Sequence, residues 1–411
     1  MNRQQIQALD RQDPLARKRQ EFHLPEGVIY LDGNSLGALP RVARERAREV
    51  VERQWGQDLI SSWNRHHWID LPIRVGDKIA ALIGAAPGQV ICCDSTSVNL
   101  FKLLGCALAL RPDRQVILSR PDNFPADLYM IEGMLRSGMA GTRRLDLAPE
   151  GQLESALDES VAVLLLTHVN FRTGQRYDMQ RLTRLAHDCG ALVIWDLAHT
   201  AGAMPVALDD WQVDFAVGCG YKYLNGGPGA PAFLYAAARH HDRIAQPLTG
   251  WMGHMAPFAF ETAYRPATGI TQFLCGTPPV VSMSILDAAL EVFADVTMDA
   301  LRAKSMALGE VFLELVQADA ALAELTLASP PEAADRGSQL AFAHDEAYAI
   351  CQALIARGMI ADFRAPDVLR FGFAPLYISY MDILHSVEAL SAIMAGKLYQ
   401  RAQYRQRQKV T

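Results

Sequence analysis

One apolar run of the sequence ends in residue types that can act on a charged aromatic ring. Residues 192–195 lead into Asp196, and His199 follows three residues later. A carboxylate at the end of a buried strand needs a partner, and the protonated nitrogen of a pyridine is a partner that keeps the ring able to accept electrons. The segment alone allows an equally simple alternative, in which Asp196 caps the next helix and His199 is a packed loop histidine.

A lysine follows the next apolar run, residues 215–217, through the sequence Gly-Cys-Gly-Tyr, and a glycine-rich turn comes after it at residues 226–229. A lysine amine that is partly removed from water can attack an aldehyde, and glycines allow a ligand to approach the backbone closely. Alone, Lys222 would be interpreted as a surface lysine on a turn. Together with Asp196 and His199 it predicts a covalent bond to an aldehyde that carries a pyridine ring, which is pyridoxal 5′-phosphate (PLP).

Further side chains lie where a phosphate and a ring would need them. Thr96 and Ser97 stand before the apolar helical pattern of residues 98–110, so their hydroxyls and amides meet at the positive end of a helix, where an anion is favoured. Phe124 follows the next apolar run and could stack on a pyridine face. Thr167 ends another run and could donate a hydrogen bond to the ring hydroxyl or to substrate. Each signal is weak alone, because helix caps, core phenylalanines and strand-ending threonines are common.

The candidates are connected by apolar runs that alternate with helical patterns between about residues 75 and 236. Runs that are apolar on both faces are typical of parallel strands covered by helices, and the carboxyl ends of such strands open a crevice. We therefore predict an α/β fold with the candidates at that edge, and Asp178 and Gly190 as the caps of one intervening helix. The predicted strands are residues 90–93, 115–119, 161–166, 192–195, 215–217 and 232–235.

The chain length of 411 residues exceeds what one hydrophobic core usually organises. We predict a large cofactor-binding domain over residues 60–292 and a small domain formed by residues 1–59 and 293–411. The small domain should contain a short strand at 368–373 and a final helix at 380–398, and should close over the crevice.

Composition argues against several classes of protein. The net charge of −6 does not suit a nucleic-acid-binding surface, and no run approaches the roughly 20 apolar residues that cross a bilayer. The seven cysteines are scattered, which predicts neither a disulfide framework nor a metal site. The N-terminus lacks the apolar core of a secretory signal. We expect a cytoplasmic enzyme that acts on a small molecule.

The motifs together resemble the kynureninase family of fold-type I PLP enzymes. The more specific signals are Gly-Asn-Ser-Leu-Gly at 33–37, Phe-Pro-Ala-Asp at 124–127 and Gly-Trp-Met-Gly-His at 250–254. The resemblance implies an aspartate-aminotransferase-like fold with a mostly parallel central sheet and a smaller α+β domain, and a homodimer whose active site is shared between subunits. The similar segments are residues 30–37, 94–102, 123–127, 166–174, 195–202, 220–229, 250–254, 276–279 and 370–377.

The resemblance also implies a role for each candidate. Lys222 would bind the cofactor as a Schiff base, Asp196 would pair with the pyridine nitrogen, and His199 would lie near the ring hydroxyl. Tyr221 could relay protons while it binds phosphate. The cofactor contacts implied in addition are Thr96 and Ser97 at the phosphate, Phe124 stacked on the ring, Asp127 and Thr167, and Trp251 and Thr277 from the neighbouring subunit.

Three residues are implied for the substrate. Arg370 would hold the α-carboxylate as a bidentate fork, which lysine does poorly, and Ser35 and Trp63 would also contact the substrate. Trp63 stands near the position where other members have a histidine, and some members have asparagine in place of Thr277. The choice between kynurenine and 3-hydroxykynurenine therefore stays open.

The implied reaction is hydrolysis of L-kynurenine to anthranilate and L-alanine in tryptophan catabolism. A cysteine desulfurase or selenocysteine lyase is the nearest alternative, and for it Cys275 is the candidate reactive loop cysteine, since Cys351 lies in an apolar helical pattern. An aminotransferase is a third possibility. From a different class, the chain could be a non-catalytic PLP-binding protein.

Overall fold

The computed structural model describes residues 1–408. Its helices are α1 Arg3–Gln12, α2 Arg41–Arg48, α3 Ser62–Arg65, α4 Leu71–Leu82, α5 Thr96–Leu110, α6 Pro125–Arg136, α7 Met179–Asp188, α8 Val280–Ala289, α9 Met298–Ala318, α10 Ala347–Ile355, α11 Tyr380–Ala395 and α12 Ala402–Arg405. Its strands are β1 Phe22–His23, β2 Ile29–Tyr30, β3 Leu39–Pro40, β4 Val90–Cys92, β5 Val116–Ser119, β6 Arg144–Leu147, β7 Val161–Thr167, β8 Leu192–Asp196, β9 Phe215–Cys219, β10 Ala232–Ala236, β11 Thr326–Leu327, β12 Gln339–Ala343, β13 Met359–Ile360, β14 Asp362–Arg364 and β15 Val368–Gly372.

A seven-stranded sheet in the order β4-β10-β9-β8-β7-β5-β6 forms the centre of the molecule. Six of its strands, β4, β5, β7, β8, β9 and β10, are buried at every residue, because helices cover both faces. The predicted α/β fold with a mostly parallel sheet is confirmed. The run at residues 232–235 was predicted to be a parallel strand, and this was wrong. It forms β10, which pairs antiparallel with both β4 and β9. The connection from β9 to β10 contains no helix, and a parallel pair requires such a crossover.

The register of the sheet brings the predicted site residues to one edge. Thr167 at the end of β7 stands opposite Asp196 at the end of β8, and Asp196 stands opposite Val217 of β9. Parallel strands expose their carboxyl ends at the same edge, so the loops that follow them converge there.

Helix ends follow the signals in the sequence. Ser95 is the N-cap of α5 and its Oγ accepts a hydrogen bond from the amide of Val98 at 3.4 Å. Asp178 caps α7 as predicted, with its Oδ1 accepting from the amide of Arg181 at 3.0 Å. Gly190 has a φ of +81° directly after the C-cap of α7, a left-handed conformation that glycine adopts without strain.

A second, four-stranded antiparallel sheet in the order β11-β12-β15-β14 lies towards the C-terminus. Helix α11 packs against α9 and α10, and β2 of the N-terminal arm pairs with β13. The final helix ends at Ala395 rather than at residue 398, because Gly396 caps it and Lys397 is left-handed. The division at residues 60 and 292 stays a prediction, and its last residues, 409–411, lie outside the described part.

The pattern analysis missed β6, which is an edge strand of the central sheet. Its sequence, Arg-Leu-Asp-Leu, alternates polar and apolar residues and none of them is fully buried. A strand with one face in water does not produce the continuous apolar run that marked the others. Within residues 1–408, none of the helices combines the length and the hydropathy that a bilayer crossing requires.

A buried carboxylate ties the β8 and β9 strands to the surrounding helices. Asp214, at 1% exposure, lies 2.8 Å from the Nε2 atoms of both His187 and His240 and accepts hydrogen bonds from Arg239 Nη2 at 2.7 Å and the amide of Val193 at 2.9 Å. Burial raises the pKa of Asp214, but the hydrogen bonds with the two histidines lower it further, so its net pKa lies below the usual range.

We expect Asp214→Ala to lower the free energy of unfolding by about 1–3 kcal/mol, because it leaves the buried ring of His240 and the amide of Val193 without their hydrogen-bond partner. In the unmodified protein this stabilisation is present above the unfolded-state aspartate pKa of about 3.9 and declines as the pH falls below it towards the lower folded-state pKa. Urea unfolding at pH 7 and at about pH 3 measures both effects. Asp113→Ala, at an exposed position, should change stability by less than about 0.5 kcal/mol; equal effects of the two substitutions would contradict the assignment.

Candidate active site

A cavity with an empty volume of about 690 Å³, which includes space open to solvent, lies at the carboxyl edge of the central sheet. Nine of the predicted cofactor-binding residues line it. They are Thr96, Ser97, Phe124, Asp127, Thr167, Asp196, His199, Tyr221 and Lys222. Ser95, Ala126, Phe171, Ala198, Ala230 and Ala232 complete the lining. Residues spread over 137 positions of sequence therefore meet because the strands that carry them end side by side.

Lys222 enters the cavity from the loop after β9. Its Nζ lies 5.9 Å from the ring centroid of Phe124 and 5.9 Å from that of Tyr221. Phe124 is itself held edge-on against Phe171, with the ring centroids 5.3 Å apart. The amine is thus bordered by aromatic faces, which reduce the water around it.

Two carboxyl groups face the same cavity. Asp196 is 2% exposed and its Oδ1 accepts the amide of Ala198 at 2.7 Å; burial raises its pKa, and the Lys222 amine offsets part of that rise. Burial and the charge of the neighbouring Asp196 also raise the pKa of Asp127. Hydrogen bonds from Asn123 at 3.0 Å and Thr167 at 3.4 Å lower this pKa, but by less, so the net shift is upward. Two buried acids with raised pKa values are a place where an additional cation is stabilised. The protonated pyridine nitrogen of PLP fits this requirement at Asp196.

His199 connects the cavity to the second sheet. It is buried, and its Nδ1 lies 3.1 Å from Oε1 of Gln339, a β12 residue. Burial and the positive charge of Lys222 lower the pKa of His199 well below its ordinary value, so the imidazole is neutral at pH 7. A neutral imidazole can hydrogen bond to a phenolic oxygen without adding charge.

An anion cradle lies at the N-terminal end of α5. Thr96 and Ser97 are its first residues, where free amides and the helix dipole favour a phosphate. Tyr221 faces the same cavity, and burial raises its pKa, so its phenol stays protonated and can donate a hydrogen bond. The segment before the helix is anchored by fully buried Lys102, whose Nζ donates to Asp94 and to the carbonyl of Phe273, both at 2.5 Å. Lys102 was not among the predicted site residues.

Comparison with known proteins identifies the family. The model of the kynureninase C-terminal domain matches residues 301–390. Kynureninase from Pseudomonas fluorescens is 50% identical over 98% of this chain and 98% of its own length, and kynureninase from Burkholderia pseudomallei is 48% identical over 100% and 99%. This chain belongs to the kynureninase family. The resemblance inferred from the motifs is confirmed, and with it the cofactor, PLP.

Solved structures with the same fold come from a different branch of PLP enzymes. The cysteine desulfurase of Thermococcus onnurineus has a TM-score of 0.77 at 19% identity and covers 92% of this chain and 98% of its own. A desulfurase of Escherichia coli gives 0.77 at 20% identity, with coverage of 93% and 98%. At this identity the likeness shows the fold, which confirms the predicted fold type I, and carries no conclusion about activity.

The thiols do not favour the desulfurase alternative over the kynureninase family. Cys351 is buried on α10 and its thiol donates to the carbonyl of Ala361. The Cys275 thiol donates to the carbonyl of Leu248 at 2.9 Å and does not line the cavity.

Five predicted residues do not line this cavity. Arg370 contacts a residue that lines the cavity, because its Nη1 donates to the carbonyl of Phe171. Ser35 lies next to Arg370 and accepts a hydrogen bond from its Nη2. Trp63 on α3 packs edge-on against Trp68, with ring centroids 5.8 Å apart. The other two, Trp251 and Thr277, are exposed. For these two, the kynureninase-family expectation of a contribution from a second subunit stays a prediction.

The N-terminal arm contacts the lysine turn, the loop segment that carries Tyr221 and Lys222. The amide of Gly37 donates to the carbonyl of Tyr221 at 2.8 Å. A Cβ at residue 37 would lie 2.3 Å from the carbonyl oxygen of Lys222 and 2.7 Å from Cα of Asn225. A glycine is therefore required for the arm to approach this closely, which explains the last position of the Gly-Asn-Ser-Leu-Gly motif of the kynureninase family.

We expect Gly37→Ala to push the lysine turn away, to cost about 1–3 kcal/mol of stability and to weaken cofactor binding. Thermal unfolding and titration of the apoenzyme with PLP measure the two effects. Gly133→Ala on α6 is the matched control, because a Cβ there meets nothing within 4 Å. Unchanged PLP affinity in Gly37→Ala would contradict the supporting role of the arm.

Proposed function

We propose that this chain hydrolyses the Cβ–Cγ bond of L-kynurenine, giving anthranilate and L-alanine, with PLP as its cofactor. Family membership supports the reaction. The observation that carries the site is one cavity shared by the Lys222 amine, the buried Asp196 and the Phe124 ring. Whether 3-hydroxykynurenine is also a substrate depends on contacts to the aryl ring, for which Trp63 is the proposed residue.

Each cavity residue has a defined task in this proposal. Lys222 would hold the cofactor through its amine, and the same amine would move the proton at the substrate Cα. The bound cofactor supplies an electron sink for the pair left at that carbon. Asp196 keeps the pyridine nitrogen protonated, and Phe124 fixes the plane of the ring. Tyr221 can carry a proton to and from the substrate carbonyl, because its phenol is protonated and lies on the cavity wall.

The remaining polar groups position the two ligands. Thr96 and Ser97 bind the phosphate at the start of α5, and His199 contacts the ring hydroxyl. Asp127 is held by Asn123 and Thr167 and limits rotation of the ring. The hydrogen bonds of Asp127 and His199 described above are made to protein atoms, and both residues also line the cavity. The substrate α-carboxylate binds Arg370, which lies behind the wall formed by Phe171.

The proposed assembly is a homodimer in which Trp251 and Thr277 reach the partner's cofactor. The segment around Trp251 supports this, since apolar side chains are exposed at 38% in Trp251, 54% in Met255, 63% in Phe258 and 78% in Phe260. Exposed apolar side chains clustered in one segment are typical of an interface. Sedimentation equilibrium that shows a monomer at micromolar concentration would contradict this assembly.

The proposed location is the cytoplasm. All seven cysteines are free thiols, which suits a reducing compartment. Recovery of the activity in the periplasmic fraction of the host would contradict this location.

We expect Lys222→Ala to abolish turnover of L-kynurenine and to remove the visible absorbance of the lysine-bound cofactor. Anthranilate fluorescence and alanine release, measured in parallel, test the reaction and its stoichiometry. Lys397→Ala is the control, because this lysine is exposed and follows the last long helix, and it should leave both readouts unchanged. Full activity of Lys222→Ala would overturn the assignment, and sulfide release from cysteine by the unmodified enzyme would favour a desulfurase.

A further inference from the structure

The proposed substrate arginine has a partner on the neighbouring strand. Asp362 of β14 stands directly opposite Arg370 of β15 in the antiparallel register. Both residues are buried, with exposures of 2% and 1%. Residues that face each other in this way on one side of a sheet form a fixed cross-strand pair.

Asp362 binds one edge of the guanidinium group. Nε of Arg370 donates to Oδ1 of Asp362 at 2.7 Å, and Nη2 donates to Oδ2 of the same carboxylate. Burial raises the pKa of Asp362, but the hydrogen bonds and charge of Arg370 lower it further, so the carboxylate is ionised. A bidentate pair of this kind fixes the plane of the guanidinium as well as its position.

The other edge of the guanidinium is held by neutral acceptors. Nη1 donates to the carbonyl of Phe171, and Nη2 lies 3.1 Å from Oγ of Ser35. Phe171 lines the cavity, so the Nη1 end of the guanidinium is bonded to a residue of the cavity wall. A carboxylate is a stronger acceptor than a carbonyl or a hydroxyl oxygen and can replace them.

We propose that Asp362 is a positioning residue, which holds the Nε–Nη2 edge of Arg370 so that the Nη1–Nη2 edge points to the cavity and binds the α-carboxylate of the amino-acid substrate. The inference rests on the proposed function, because it takes Arg370 as the carboxylate-binding group. Asp362 itself does not contact the substrate. Asp362 holds the side chain of Arg370 in its binding conformation before the substrate arrives. Less conformational entropy of the arginine is then lost on binding.

The surroundings of Asp362 explain why a charged group is needed at this position. Arg364 Nη2 lies 2.8 Å from the same Oδ2 atom, so two arginines share one carboxylate. Ser35 Oγ donates to that oxygen at 2.7 Å and accepts from Arg364 at 3.1 Å. The other nearby acid, Asp32, has its pKa raised to about 7, first by burial and then by the charge of Asp362. Asp362 is therefore the acid that contacts both arginines directly.

The test compares L-kynurenine with its α-carboxamide, which lacks the charged carboxylate, in the holoenzyme. We expect Asp362→Asn to raise KM for L-kynurenine about 10-fold or more while kcat changes much less. The preference for the carboxylate over the carboxamide, as the ratio of kcat/KM values, should fall by a similar factor towards the value for Arg370→Ala. General damage to the fold would weaken both compounds alike and would leave the ratio unchanged.

Two further variants separate position, charge and stability. Asp362→Glu keeps the charge and the ion pair but moves the carboxylate by one methylene, so it should also lower the ratio. Asp13→Asn is the matched control, because the side chain of Asp13 is likewise only 2% exposed and is paired with a cation, Lys304, at 2.7 Å. It should lower the thermal unfolding temperature and leave the ratio unchanged.

Each outcome decides the inference. A lower ratio in both Asp362 variants supports it. A ratio equal to that of the unmodified enzyme in either variant would overturn it, and a decreased KM in Asp362→Asn would show that Asp362 competes with the substrate for Arg370. If the unmodified enzyme cleaves neither compound, the proposed function fails together with the inference. If it cleaves L-kynurenine with a strong carboxylate preference that Asp362 does not affect, the inference alone fails.

Discussion

The site depends on the attraction between a buried acid and the positive charges placed around it. Asp196 is almost completely removed from water, with a second acid, Asp127, beside it, and burial alone raises the pKa of both. Such an arrangement is costly in an empty pocket and becomes favourable when a cation enters. The Lys222 amine meets part of this requirement, and a protonated pyridine ring meets the rest. In the proposed function, Asp196 therefore keeps the ring of the bound cofactor protonated.

The central sheet brings these side chains together through the register of its parallel strands. The strands β7, β8 and β9 are parallel neighbours whose carboxyl ends lie in register, so Thr167, Asp196 and the loop to Lys222 reach one point without any irregular long connection. Two parts from outside the sheet complete the site. The N-terminal arm supports the lysine turn through Gly37, and the C-terminal sheet brings Gln339 to His199 and Arg370 to the back of Phe171. In the proposed function, the cofactor and the substrate are thus held by different parts of the chain.

Much of this could be predicted from the sequence. The buried strands of the central sheet were found within about two residues because a strand covered on both faces is a continuous apolar run, and Asp178 marked the start of α7 through its capping side chain. The nine cavity residues followed from strand ends and from the family motifs. Pairings that depend on direction or register could not be predicted. The antiparallel course of β10, the close approach of Gly37 to Lys222 and the pair of Asp362 with Arg370 are set by how segments meet in space, and no local periodicity records them.

The central claim is a covalent bond between the cofactor and one amine, and chemical trapping tests it most directly. The purified holoenzyme is reduced with borohydride and digested, and the peptides are mapped by mass spectrometry. The account predicts that the phosphopyridoxyl mass is found on the peptide containing Lys222 in nearly stoichiometric amount. A label on another lysine, or an enzyme that cleaves L-kynurenine and carries no trapped cofactor, would contradict it.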